Sequence, residues 1–101
     1  VFKYALDLLE DSSEKVRNTM INSMVDIVRR KGVKNILPQL LKHLSDEFSI
    51  QLQRSISIIL GRSVKYEGEG IKKRVISLLK IRCEMSQDEI ICGVLQNLME
   101  N

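Results

Sequence analysis

A chain of 101 residues that is 44% hydrophobic and 29% charged is one domain, able to build a core without a metal or a cross-linked framework, and too apolar for a disordered tail. A net charge of +3 permits an acidic partner or nucleic acid without demanding either. One Pro, five Gly and 4% aromatics argue against a many-stranded β protein and for a core of aliphatic helix ridges.

Helical periodicity then dominates from end to end. The opening stretch VFKYALDLLE puts Phe2, Ala5, Leu6 and Leu9 on one face. Its early acids do not suit a secretory leader, and no apolar run approaches the ~18 residues of a membrane span. Asp11 followed by Glu14 fits a capping arrangement for a second helix, whose stripe is Val16, Met20, Met24, Ile27 and Val28. Arg29, Arg30 and Lys31 fill its last turn, where cations suit the helix dipole, and Gly32 stops it.

A third helix carries Val33, Ile36, Leu37, Leu40, Leu41 and Leu44, with Pro38 expected to kink it if it begins at Val33. A fourth runs through Leu52, Ile56, Ile59, Leu60 and Val64. The stretch EGEG (Glu67 to Gly70) reads as a linker. A fifth helix places Ile71, Val75, Leu78 and Leu79 inside. Ser86 and Glu89 read as a capping box for the sixth, which uses Ile90, Val94, Leu95 and Leu98.

Six helices in three pairs raise the question of a repeat. A shift of 38 lays Gly32, Val33 and Lys34 on Gly70, Ile71 and Lys72, and Leu52, Ile56 and Leu60 on Ile90, Val94 and Leu98. A shift of 36 lays Val16, Met20, Met24 and Val28 on Leu52, Ile56, Leu60 and Val64. Helix pairs at such a period predict an all-α superhelix in which each hairpin buries its open face on the next, with boundaries near 1–32, 33–69 and 70–101.

The stretches LLEDSSEKVRNTMINSM and ILPQLLKHLSDE resemble the HEAT repeat. Leu9, Asp11, Val16 and Arg17 match in the first hairpin; Leu37, Pro38, Leu40, Leu41, Leu44 and Asp46 match in the second. The resemblance implies a right-handed armadillo/HEAT-like α-solenoid. It also implies a ladder of turn acids and helix arginines between neighbours, with Asp11, Arg17 and Asp46 as its members. The pattern fades toward the C-terminus: Gln53 stands in the second Arg position, and Glu84 and Ile91 stand in the third hairpin's Asp and Arg positions.

By the same resemblance, second helices line a concave face, here with Asn18, Asn22, Arg54, Ile58, Arg62 and Gln96, suited to a protein segment. The aligned row Asp26, Arg62 and Glu100 alternates in sign and predicts ion pairs between neighbours. Junction cations form the competing surface: Arg29, Arg30, Lys31 and Lys34 at one junction, Lys65, Lys72, Lys73 and Arg74 at the next, which would follow a phosphate backbone.

No nucleophile elbow, phosphate loop or metal-ligand spacing is present, and His43 has no His or Cys near it. Cys83 and Cys92, nine residues apart, read as reduced core thiols of a cytoplasmic protein. The expected function is a non-enzymatic protein-binding scaffold without a cofactor. Nucleic-acid binding through the junctions is the second reading, and a small HEAT-like enzyme such as a DNA-repair glycosylase is the third. Phe2 and Met99, at the two ends, are the expected contacts of a homodimer.

Overall fold

A computed structural model describes residues 6–42, 44 and 49–100, with Tyr66 described by its backbone alone. Regular structure among them is entirely helical. Residues 6–8 are helical, and five longer helices follow: α1 (Glu14–Lys31), α2 (Val33–Leu41), α3 (Ile50–Ser63), α4 (Glu69–Ser86) and α5 (Glu89–Glu100). A 3-10 turn, Val64–Tyr66, prolongs α3. Pro38 lies inside α2 on its exposed side, and Gly70 lies in the first turn of α4 rather than in the linker. Asp46, His43, Phe2, Tyr4 and Ala5 fall outside the described residues.

The three second helices begin on equivalent caps. Ser13 Oγ accepts from the Val16 N–H at 3.4 Å, and Ser49 Oγ accepts from the Leu52 N–H at 3.1 Å. Asp88 Oδ2 accepts from the N–H groups of Ile90 and Ile91, both at 3.1 Å. Each satisfies donors that the first turn of a helix leaves unpaired. Two expected caps are therefore corrected. Asp11 does not cap α1; its carboxylate accepts from the Ser13 N–H at 2.8 Å and shapes the turn before the true cap. Ser86 does not cap α5; its hydroxyl accepts from the Asp88 N–H at 3.3 Å. Asp88 takes the cap because α4 continues through Ser86 and ends only at Gln87, which adopts a left-handed φ of 55°.

The caps give a spacing that departs from the expected one. They lie 36 and then 39 residues apart, so the third hairpin is one residue out of the expected register. Leu52, Ile56 and Ile59 correspond to Ile91, Leu95 and Leu98, all buried. Ile90, expected inside, is 43% exposed, and Ile91, assigned to a ladder position, has no exposure at all. In α1, likewise, Ile21 is buried and Ile27 is turned outward. The fourth-helix reading holds residue for residue: Leu52, Ile56, Ile59, Leu60 and Val64 are all buried.

Helix α3 is the middle wall. It packs against α1 on one side and α5 on the other, while α2 and α4 back onto the row. Apolar side chains from every hairpin enter one continuous core, with Leu9, Leu37, Ile56, Leu60 and Leu79 fully enclosed. At roughly 1.5–3 kcal/mol for each enclosed aliphatic side chain, this burial is the main term opposing chain entropy.

The cysteine reading is overturned. Cys83 in α4 and Cys92 in α5 are joined in a disulfide, with their Cα atoms 5.0 Å apart. Two cysteines are too few for a framework, yet the tight α4–α5 reversal folds nine residues of separation back on itself. Within that reversal, the Gln87 N–H donates to the Cys83 carbonyl at 2.8 Å. Reduced thiols therefore no longer argue for a reducing compartment. Among the described residues, no helix is long and apolar enough to cross a membrane.

Candidate functional site

Side chains reach between hairpins at several levels of the stack. The Ser55 hydroxyl on α3 donates to the Leu9 carbonyl at 3.2 Å, in a buried position. Glu67, just before α4, accepts from the Val33 N–H at 2.7 Å and so caps α2 from the far end of the same 33–69 segment. It supplies what Gly32 cannot, because Gly32 sits at φ 88° and offers no side-chain cap of its own. Arg82 on α4, buried, donates to the Leu44 carbonyl at 3.4 Å.

The strongest of these ties is Arg54–Asp88. Arg54 Nε and Nη2 both donate to Asp88 Oδ1, at 2.9 and 2.7 Å. The other oxygen, Oδ2, holds the α5 N-terminus. One carboxylate thus caps α5 and fastens it to α3. The Asp88 side chain is only 6% exposed and that of Arg54 33%. The guanidinium hydrogen bonds hold the Asp88 carboxyl below its ordinary value of 3.8, against the opposing effect of burial, and the two backbone N–H groups add to the lowering. The carboxylate correspondingly raises the pKa of Arg54.

These ties place the expected site residues. Of the ladder, Arg17 Nη1 donates to the backbone carbonyl of Asp11 at 2.7 Å, a bond within the first hairpin and not to its carboxylate. The ion pair that ties α3 to α5 uses Arg54, which the sequence reading placed on a binding face, and Asp88, which it did not single out. The signal was available: Asp88 stands three residues before the buried Ile91, as Ser13 and Ser49 stand three before Val16 and Leu52. The alternating row does not pair as expected either. Arg62 Nη1 donates to Asn22 Oδ1 at 2.9 Å rather than meeting Asp26. Gln96 donates to Glu100 along its own helix at 3.3 Å, and Asn18 is exposed.

With Arg54 drawn onto Asp88, a groove of about 270 Å³ lies open between α3 and α5. Ile58, Val94 and Leu98 provide its apolar lining, and Arg62, Lys65 and Asn97 its polar edge. Gly61 makes the close approach possible: a Cβ at this position would lie 2.6 Å from Val94 Cγ1. A second depression, bounded by Val64, Lys65, Glu67, Glu69, Lys72 and Leu98, shares Lys65 and Leu98 with the first and so continues it.

The junction cations are surface residues. Arg29, Arg30, Lys31, Lys34, Lys65, Lys73 and Arg74 are exposed and Lys72 half-buried. The Glu67–Val33 hydrogen bond brings the two junctions against each other. Apolar side chains are exposed elsewhere: Ile81 and Met85 on α4 and Met99 on α5 are each more than half exposed. No group of three or more His, Cys, Asp or Glu side chains among the described residues is placed to hold a metal ion. Comparison with protein-family models, with curated proteins and with solved structures finds no match to this chain.

Proposed function

We propose that this chain is a HEAT-like α-solenoid module of three hairpins that serves as a non-enzymatic scaffold, seating a protein partner in the groove between α3 and α5. One observation carries the reading. Helix α3 is stacked between α1 and α5 and fastened to α5 by Arg54–Asp88, and this arrangement leaves a groove with Ile58, Val94 and Leu98 in its lining open to solvent. Grooves of this kind, apolar at the centre with polar rims, suit side-chain anchors of another chain. Ile58, Arg62 and Asn22 belong to it or border it; Arg54 is structural.

A second reading is favoured by the meeting of the two junctions at Val33 and Glu67, which brings two sets of exposed cations into one region. In that reading Arg29, Arg30, Lys31, Lys34, Lys73 and Arg74 contact phosphates. Photo-crosslinking separates the two. A crosslinkable residue at Asn97, in the groove, is expected to form adducts with protein. One at Arg30 is expected to form none with nucleic acid. Nucleic-acid adducts at Arg30, with none to protein at Asn97, would replace the first reading by the second.

A further inference from the structure

The groove has a chemical preference of its own. Its lining is aliphatic where α3 and α5 approach most closely, at Ile58, Val94 and Leu98. A volume of about 270 Å³ exceeds the ~150 Å³ that accommodates a benzene ring, so one large apolar side chain fits. Around this floor the ionic groups are unevenly committed. Arg62 spends one N–H on a neutral amide, Asn22. The ammonium groups of Lys65 and Lys72 make no hydrogen bond or ion pair among the described residues. Of the two acids in the adjoining depression, Glu67 is engaged by the Val33 N–H. Arg62, Lys65 and Lys72 outnumber Glu67 and Glu69 along the channel, so its net charge is positive. None of the described lining residues is aromatic, so the groove lacks the stacking platform that single-stranded bases use.

Resting on the scaffold reading above, we propose that the groove recognises a short acidic protein segment. One aliphatic or aromatic side chain of the segment enters between Ile58 and Val94, and flanking carboxylates meet Arg62, Lys65 and Lys72. The apolar anchor supplies the buried contact and the carboxylates supply orientation and rate of encounter. Lys65 lies at the overlap of the two depressions, so it is the cation an acidic segment meets whichever way it runs.

The test is selection of a phage-displayed random dodecapeptide library on the folded chain, followed by fluorescence anisotropy of the winning peptides. The expected result is enrichment of peptides with one large apolar residue flanked by Asp or Glu. Lys65→Glu, a substitution at an exposed position, weakens them about tenfold or more at low salt. Ile58→Asp abolishes binding, and circular dichroism checks that this variant still folds; where it does not, Lys65→Glu and Lys72→Glu decide alone. Enriched peptides that are neutral or basic, or that ignore Lys65→Glu, overturn the acidic-segment proposal while leaving the scaffold reading standing. Failure to enrich any peptide overturns both.

Discussion

Replacing Asp88 probes the junction between the last two hairpins with a magnitude the geometry defines. Its carboxylate makes two different kinds of bond: two to backbone N–H groups at the start of α5, and two to the Arg54 guanidinium. Asn is as good an N-cap as Asp, so Asp88→Asn keeps the first kind and loses the ionic part of the second. A charged hydrogen bond contributes about 1.5–3 kcal/mol and a neutral one about 0.5–1.5. Because a third of the Arg54 side chain meets solvent, the lower end applies, and Asp88→Asn should cost about 1 kcal/mol. Asp88→Ala loses the cap as well, about a further 1 kcal/mol, and leaves Arg54 without its acceptor, for a total of about 2–3 kcal/mol. With the usual unfolding entropy of a chain this size, 1 kcal/mol is about 5 °C in Tm. Thermal and urea unfolding, followed by far-ultraviolet circular dichroism, should therefore order the proteins as wild type, then Asn, then Ala. A double-mutant cycle with Arg54→Met should give a coupling of about 1 kcal/mol.

The same pair predicts a pH dependence. The folded-state pKa of Asp88 lies below its ordinary 3.8. The unfolded chain therefore binds this proton first, and the stabilisation is fully present above about pH 4–5, then lost as pH falls through the folded value. Asp88→Asn should flatten the acid limb of the stability profile. Equal costs for Asn and Ala, both under about 0.5 kcal/mol, would show that Asp88 neither caps α5 nor ties it to α3.

Three further outcomes follow from particular contacts. The Cys83–Cys92 bridge closes a loop of nine residues' separation, for which chain entropy gives about 2–3 kcal/mol; reductant should lower the Tm of the wild type by about 10 °C and leave a Cys83→Ser/Cys92→Ser double variant unmoved. Gly61→Ala sets a helix-propensity gain of up to ~1 kcal/mol against overpacking of ~1–3 kcal/mol at Val94, so it should destabilise by about 1 kcal/mol, and in a Val94→Ala background the sign should reverse. The Ser63 hydroxyl is buried without a hydrogen-bond partner among the described residues, so Ser63→Ala should be neutral or stabilising by up to ~1 kcal/mol in urea denaturation, whereas a loss above that would reveal a bond to the hydroxyl.

How far the sequence discloses this molecule depends on whether a local pattern has one phase or several. Helix α3 was legible because Leu52, Ile56, Ile59 and Leu60, with Val64 in the turn that prolongs it, fit a single helical face even though Ile58 stands among them. Helix α5 was not, since Ile90, Ile91 and Cys92 are consecutive and periodicity accepts either isoleucine as the inward one. The cap decides, and a Ser two residues earlier concealed Asp88 as the cap. The groove was half legible. Ile58 and Arg62 were placed on the face that forms it, but Val94 was expected in the core, and Arg54 was expected to face a ligand when it instead meets Asp88. A partner 34 residues away cannot be read from spacing until the register between hairpins is known, and that register shifts from 36 to 39. The disulfide was missed because cysteine number and spacing exclude frameworks and metal knuckles while leaving a single bridge across a tight helical reversal undetermined.

The claim that the groove between α3 and α5 seats an acidic segment is tested most directly by an amide chemical-shift titration with the capped hexapeptide Asp-Glu-Leu-Leu-Glu-Asp, run at physiological salt beside a Lys-for-acid control. Millimolar binding is visible by this method, so no prior selection is needed. The account predicts that the amides of Ile58, Gly61, Arg62, Lys65, Val94 and Asn97 move together on a single saturating curve, and that the control moves none of them. Shifts confined to Arg29, Arg30 and Lys34, or no saturable shift at any residue, would contradict it.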